Sequence, residues 1–239
     1  MSESALINLN IARACVKHDV KKVFYSSSAC VYPESIQDRE ENIQLKESDA
    51  YPAAPDSEYG WEKLFSERLF MNLKKNRGIE TRIARFHNIY GPEGTWEGGK
   101  EKAPAAMCRK VAYAKDGESI EIFGNGQQTR SFLYIDQCIE GILRLMESNY
   151  DQPLNIGSDE NVTINQLVDI AAKVADKKIN KNHISGPLGV KGRNSHRVNN
   201  RTGEVRQTPW RAVRHYFLSC HFVFSLAKVQ RAAQHLQKM

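Results

Sequence analysis

Tyr59 and Lys63 stand four residues apart in Tyr59-Gly60-Trp61-Glu62-Lys63. On a helix of 3.6 residues per turn, positions i and i+4 share a face, so the ammonium can approach the phenol. A nearby positive charge favours phenolate, which predicts a lowered pKa for Tyr59 and an acid/base role near neutral pH. Ser28 supplies a hydroxyl partner. It lies in Ser26-Ser27-Ser28-Ala29-Cys30, where the apolar run Lys22-Val23-Phe24-Tyr25 ends. A Tyr-x-x-x-Lys spacing alone is usually ordinary helix surface. Behind a strand that ends in Ser-Ser-Ser-Ala it points to proton transfer.

The elements that must position these groups alternate. Residues 5–18 carry Ile7, Leu9, Ala12 and Val16 at helical spacing, and 22–26 read as a strand. Residues 58–75 read as a helix with Gly78 as its C-cap, and 80–86 as the next strand. This strand–helix–strand order predicts an α/β fold, with a parallel sheet and helices on both faces. Glycines then gather at 94, 98 and 99. Further helices are predicted at 103–114, 136–148 and 163–175, the last capped by Thr163, with strands at 120–123, 131–134 and 154–156.

Composition narrows the classes. The 239 residues are 41% hydrophobic and 26% charged, ordinary for a globular chain with a real core. The N-terminus lacks the basic start and apolar run of a signal peptide, and no stretch reaches membrane-span length. Cys15, Cys30, Cys108, Cys138 and Cys220 are scattered and odd in number, which argues for a reducing, cytoplasmic setting and against a structural metal site. The net charge of +6 is a property of one end. Residues 196–239 hold eight Lys/Arg against Glu204, or +7, leaving 26 basic against 27 acidic residues, or −1, before them. A body of that charge offers no basic face for nucleic acid.

Three blocks carry a resemblance. They are Ser26-Ser27-Ser28-Ala29-Cys30-Val31-Tyr32-Pro33, Tyr59-x-x-x-Lys63, and Arg85-Phe86-His87-Asn88-Ile89-Tyr90-Gly91-Pro92. With them the chain resembles the extended short-chain dehydrogenase/reductase family acting on nucleotide sugars. Three more blocks narrow this to the 3,5-epimerases of GDP-sugars within that family: residues 94–106 (Gly-Thr-Trp-Glu-Gly-Gly-Lys-Glu-Lys-Ala-Pro-Ala-Ala), Gln128-Thr129-Arg130-Ser131-Phe132, and residues 189–195. The resemblance implies a partial Rossmann-type sheet plus a smaller α/β substrate part, NAD as cofactor, a GDP-sugar substrate, a homodimer, and a place on the plant route to ascorbate. It divides the chain into the later half of a dinucleotide-binding domain (1–90), a mainly substrate-binding part (91–195, with segments returning to the first sheet) and a divergent basic tail (196–239). No glycine precedes Gly60, so the glycine-rich turn that receives the cofactor diphosphate is missing, which implies truncation at the N-terminus and makes activity of the chain alone doubtful.

The same resemblance assigns roles. Tyr59 and Lys63 serve catalysis and the cofactor, with Ser28 polarising the sugar oxygen. Cys30 and Lys102 exchange protons on opposite sugar faces; both residue types are tuned by their neighbours. Substrate contacts fall to Ser28, Ala29, Cys30, Asn88, Glu101, Lys102, Ala103, Lys110, Gln128, Thr129, Arg130 and Arg193, where guanidinium forks suit a diphosphate. His87 and His183 have no acid or nucleophile partner and read as structural. The competing readings are another NAD-dependent nucleotide-sugar epimerase or dehydratase, or an inactive fragment of one.

Overall fold

The computed structural model describes residues 2–38, 44–92, 94–186 and 192–195. The tail from 196, and the expectation attached to it, lie outside the described residues.

Helix α1 (Ser2–Lys17) leads into strand β1 (Lys22–Ser28). A short turn at Ala29–Val31 and one helical turn, α2 (Glu34–Gln37), follow, then the two-residue strand β2 (Gln44–Leu45). Helix α3 (Glu58–Arg77) ends at Gly78, whose left-handed φ of 68° is the expected C-cap. Strand β3 (Glu80–Phe86) runs parallel to β1, with Lys22 opposite Glu80 and Ser28 opposite Phe86. On its other side β3 pairs with β8 (Leu154–Ile156), so this sheet has the order β1-β3-β8. Alternation sorts its side chains. Tyr25 and Ile83 pack with Ala12 and Cys15 of α1 and with Phe70 and Leu73 of α3. Phe24, Ala84 and Phe86 face α5 (Ile135–Glu147), which contributes Cys138 and Leu145.

The second part is built on a separate core. α4 (Ala103–Tyr113) and α6 (Ile164–Val174) enclose Met107, Val111, Ile122, Phe132, Leu167 and Val168. Beneath them β5 (Ser119–Phe123) pairs with β10 (Asn180–Ile184). The expected capping at Thr163 is present, reciprocated by Gln166. The strand expected over 131–134 is divided. β6 (Thr129–Ser131) joins β9 (Asn161–Thr163) and β11 (Gly192–Ser195), while β7 (Leu133–Tyr134) joins β4 (Ile89–Tyr90). Phe132, buried in the α4/α6 core, is the pivot between them. Among the described residues no helix is long and apolar enough to cross a membrane, and no group of His, Cys, Asp and Glu is arranged to hold a metal.

Candidate active site

β1 delivers its serines to the C-terminal edge of the parallel sheet, where open α/β sheets bind ligands. Ser28 ends the strand and caps the turn that follows, its Oγ accepting from the Cys30 N–H at 3.2 Å. α3 begins beside this turn, with Ser57 as N-cap accepting from the Gly60 N–H. Contact between turn and helix is so close that a Cβ on Gly60 would lie 2.0 Å from the Cys30 carbonyl oxygen. Glycine here is a packing requirement, and it brings Tyr59 to the strand end.

Tyr59, Ser28, Cys30 and Lys63 are thereby gathered in one place. The Ser28 hydroxyl lies near the Tyr59 phenol and favours its phenolate, and Cys30 is close enough to act on it electrostatically. The expected lowering of the Tyr59 pKa is corrected by the structure. Burial, reinforced by the charge a Cys30 thiolate would carry, raises it, and the Ser28 hydroxyl only partly opposes this. The Lys63 charge is engaged elsewhere. Its Nζ donates to the Ser26 carbonyl at 3.0 Å, over the Tyr25 ring (5.1 Å to the centroid) and 5.6 Å from the centre of the Tyr59 ring. Tyr25 in turn stacks on Phe70 at 4.8 Å. Lys63 thus sits between two aromatic rings, where cation–π attraction fixes its direction.

Behind the site lies a polar network that sequence reading missed. Glu67 and Arg85 form a buried ion pair at 2.7 Å, with Ser27 Oγ donating to the same carboxylate. Arg85 also donates to the Tyr32 hydroxyl and the Glu47 carbonyl, and Tyr32 donates to Asn155 Oδ1 at 2.6 Å. His87, fully buried, meets the same Asn155 oxygen. His183 pairs with Asn165. Both histidines take structural bonds, and Arg85–Glu67 ties β3 to α3 under the serine strand.

The other expected residues lie at the end of β3, around α4 and along β5 and β6. Asn88, with φ of 24°, donates to the Ser131 carbonyl at 2.9 Å and so links the β3 end to β6. Lys102 is the N-cap of α4 and lacks a side-chain cap bond, in a place where the helix dipole disfavours a cation; Ala103 is the first helical residue. Lys110 donates to the Glu121 carbonyl, and Gln128 to the Phe123 carbonyl, so both lie along β5. Arg130 donates to the Thr129 carbonyl, and the β6–β11 register sets Arg193 opposite Arg130. The Glu101 carboxylate pairs with Arg109, a residue the sequence reading did not single out and whose eight-residue separation from Glu101 gives no local signal.

A family model described as the NAD dependent epimerase/dehydratase family matches residues 1–157. The chain belongs to this family. The chain is 51% identical over 195 residues to GDP-mannose 3,5-epimerase of Arabidopsis thaliana, covering 82% of this chain and 51% of the relative. The match to GDP-mannose 3,5-epimerase 1 of Oryza sativa subsp. japonica has the same identity and coverage. This epimerase/dehydratase chain therefore spans about half the length of the curated relatives it matches. Its fold is that of UDP-N-acetylglucosamine 4-epimerase from Methanobrevibacter ruminantium M1. The TM-score is 0.78 at 24% identity, over 92% of this chain and 68% of that one.

Proposed function

We propose that this chain carries the catalytic and substrate-binding half of a GDP-mannose 3,5-epimerase, which converts GDP-mannose to GDP-L-galactose through a 4-keto sugar. The observation that carries it is the assembly of Tyr59, Ser28, Cys30 and Lys63 at one strand end, in a chain 51% identical to enzymes of that name.

The donor set fits the reactive end of a nicotinamide dinucleotide. A phenol and a hydroxyl lie near one another, with an ammonium one helical turn away, at the C-terminal edge of parallel strands. When bound, the nicotinamide supplies the hydride acceptor and donor at sugar C4, and a positive charge that shifts the Tyr59 phenol downward. Tyr59 takes and returns the C4 hydroxyl proton. Ser28 hydrogen-bonds the same oxygen, and Lys63 gives the site its fixed positive charge. A ketone at C4 acidifies C3 and C5, where Cys30 and Lys102 transfer protons on opposite faces. Asn88, Lys110, Gln128, Thr129, Arg130 and Arg193 hold the sugar and its diphosphate, with Ala29 and Ala103 lining the approach.

The outer faces of α1 and α3 support pairing of two subunits. Leu6, Ile7 and Ile11 on one helix, with Trp61 and Phe65 on the other, are all 45–58% exposed, an apolar patch that a second copy would cover. The proposed setting is the cytoplasm, on the route to ascorbate.

A chimaera tests the reading, with residues 1–195 of this chain replacing the matched segment of the Arabidopsis relative. It should convert GDP-mannose in D2O with deuterium uptake at C3 and C5. Tyr59→Phe should lower turnover at least ~100-fold. Cys30→Ala and Lys102→Ala should lose exchange while keeping hydride transfer at C4. A folded but inactive chimaera, or full turnover in Tyr59→Phe, overturns the proposal.

A further inference from the structure

We infer that Arg109 is a positioning residue for the proposed sugar site, which clamps the 94–102 loop and orients Glu101, a substrate contact that the family resemblance implies. The inference rests on the function proposed above.

Arg109 lies on the second turn of α4 and reaches back over the loop that precedes the helix. Its Nε donates to the Trp96 carbonyl at 3.0 Å, and its NH2 donates to Glu101 Oε1 at 2.7 Å. One rigid guanidinium fork thus grips the loop at two points five residues apart. A Lys ammonium has no such fork to span them. Trp96 adds a third anchor by packing on Ala112 of the same helix. Between the grips, Gly98 and Gly99 both take left-handed φ, 87° and 81°, a stretch whose two ends the clamp restrains.

Glu101 is the unusual partner. Its side chain is only 9% exposed. Its own backbone N–H, then Arg109, with help from the Gly99 N–H, hold its carboxyl below the usual carboxylate range against the opposing effect of burial. The pair is therefore charged, and Oε1 is committed to Arg109. Oε2 is buried without a hydrogen-bond partner among the described residues. A buried carboxylate oxygen left so is costly, and the cost falls when a donor arrives. A sugar hydroxyl is such a donor. Lys102 follows directly at the α4 N-cap, so the clamp that orders Glu101 also fixes the backbone from which Lys102 projects.

The test uses the chain itself, with Arg109→Met, Arg109→Lys, Glu101→Gln and the Met/Gln double variant. Acrylamide quenching of Trp96, read as the difference from Trp96→Phe, reports the loop. Calorimetry with GDP-mannose reports the ligand. Arg109→Met should raise Trp96 quenching roughly twofold, as local opening requires, and weaken GDP-mannose binding about tenfold. Arg109→Lys keeps a charge for Glu101 but cannot span both grips, so it should recover only part of the affinity and leave Trp96 quenching raised. Glu101→Gln, nearly isosteric, should weaken binding similarly, and the double variant should be no worse than Arg109→Met. Unchanged quenching in Arg109→Met overturns the clamp. Raised quenching with unchanged affinity, or losses that add in the double variant, overturns the role given to Glu101. If the unaltered chain takes up no GDP-mannose, the proposed function and the ligand half of this inference fall together, while quenching still decides the clamp.

Discussion

Tyr59, Ser28, Cys30 and Lys63 are gathered by one strand end, one turn and the first two turns of one helix. Glu101, Lys102, Lys110, Gln128 and Arg130 are carried by a glycine-rich loop, a helix and strands of three to five residues or their approaches. The first group is cemented from beneath by a buried ion pair, Glu67–Arg85, and by a helix that touches the turn with no room for a Cβ at Gly60. The second is held by long cationic side chains on carbonyl oxygens: Arg109 on Trp96, Lys110 on Glu121, and Lys177 on Val111, Ala112 and Ala114. The contrast teaches that the groups proposed to transfer protons are fixed by packed secondary structure. The groups proposed to hold the sugar nucleotide are fixed by side chains that bridge loops.

That contrast can be broken from either side. The largest effect is expected at the ion pair. Glu67→Gln leaves the Arg85 guanidinium buried without its counter-charge and should cost about 3–5 kcal/mol in a urea unfolding curve. A loss under about 1 kcal/mol, the size of an exposed pair, would show that the first region is not cemented in this way. Next is Gly60→Ala, which must push α3 away from the Cys30 carbonyl. A cost of about 1–3 kcal/mol is expected, with the separation of Tyr59 from Ser28 visible as a shifted phenol titration. In the second region, Lys177→Met removes the donor to three carbonyls at the end of α4. It should cost about 1–2 kcal/mol and leave the Tyr59 titration where it was. Movement of that titration would erase the separation between the regions.

The smallest effect is a pH dependence. Burial raises the phenol pKa of Tyr25, Tyr32 and Tyr59 in the first region and of Tyr90 in β4. The folded chain then keeps protons that the unfolded chain, titrating near pH 10, gives up. These groups therefore contribute full stability below about pH 10 and lose it as pH rises above that value. Melting temperature should fall between roughly pH 9 and 11, and Tyr25→Phe should make the fall shallower. A flat profile would mean that these phenols are solvated.

Much of the first region was legible in the sequence because its signals are local. The i, i+4 spacing of Tyr59 and Lys63, the serine run behind an apolar strand and Gly78 as a C-cap each act within a few residues. The predicted strand over 80–86 coincides with β3. What the spacing misjudged was the charge. It placed Lys63 near Tyr59 but could not show that the Ser26 carbonyl and two aromatic rings would hold the ammonium, or that burial would drive the phenol the other way. The second region was legible in its two helices, the Thr163 cap and the strand at 120–123, but its candidate site only as a list of residues. Its strands β6, β9 and β11 are three or four residues long and drawn from distant segments, and β6 separates from β7 at Phe132 because that ring belongs to another core.

The sequence by itself determined the main helices, the strands β1, β3, β5 and β8, the helical face shared by Tyr59 and Lys63, and a set of hydroxyl, thiol and phenol groups suited to proton transfer. Periodicity and capping depend on near neighbours, which the chain states directly. Tertiary structure alone decided the close seating of Gly60 on Cys30, the buried Glu67–Arg85 pair, the direction of the Tyr59 shift and the Arg109 grip on Glu101. Each depends on burial or on groups that meet only when separate elements pack, and desolvation and long-range contact have no signature in a linear spacing.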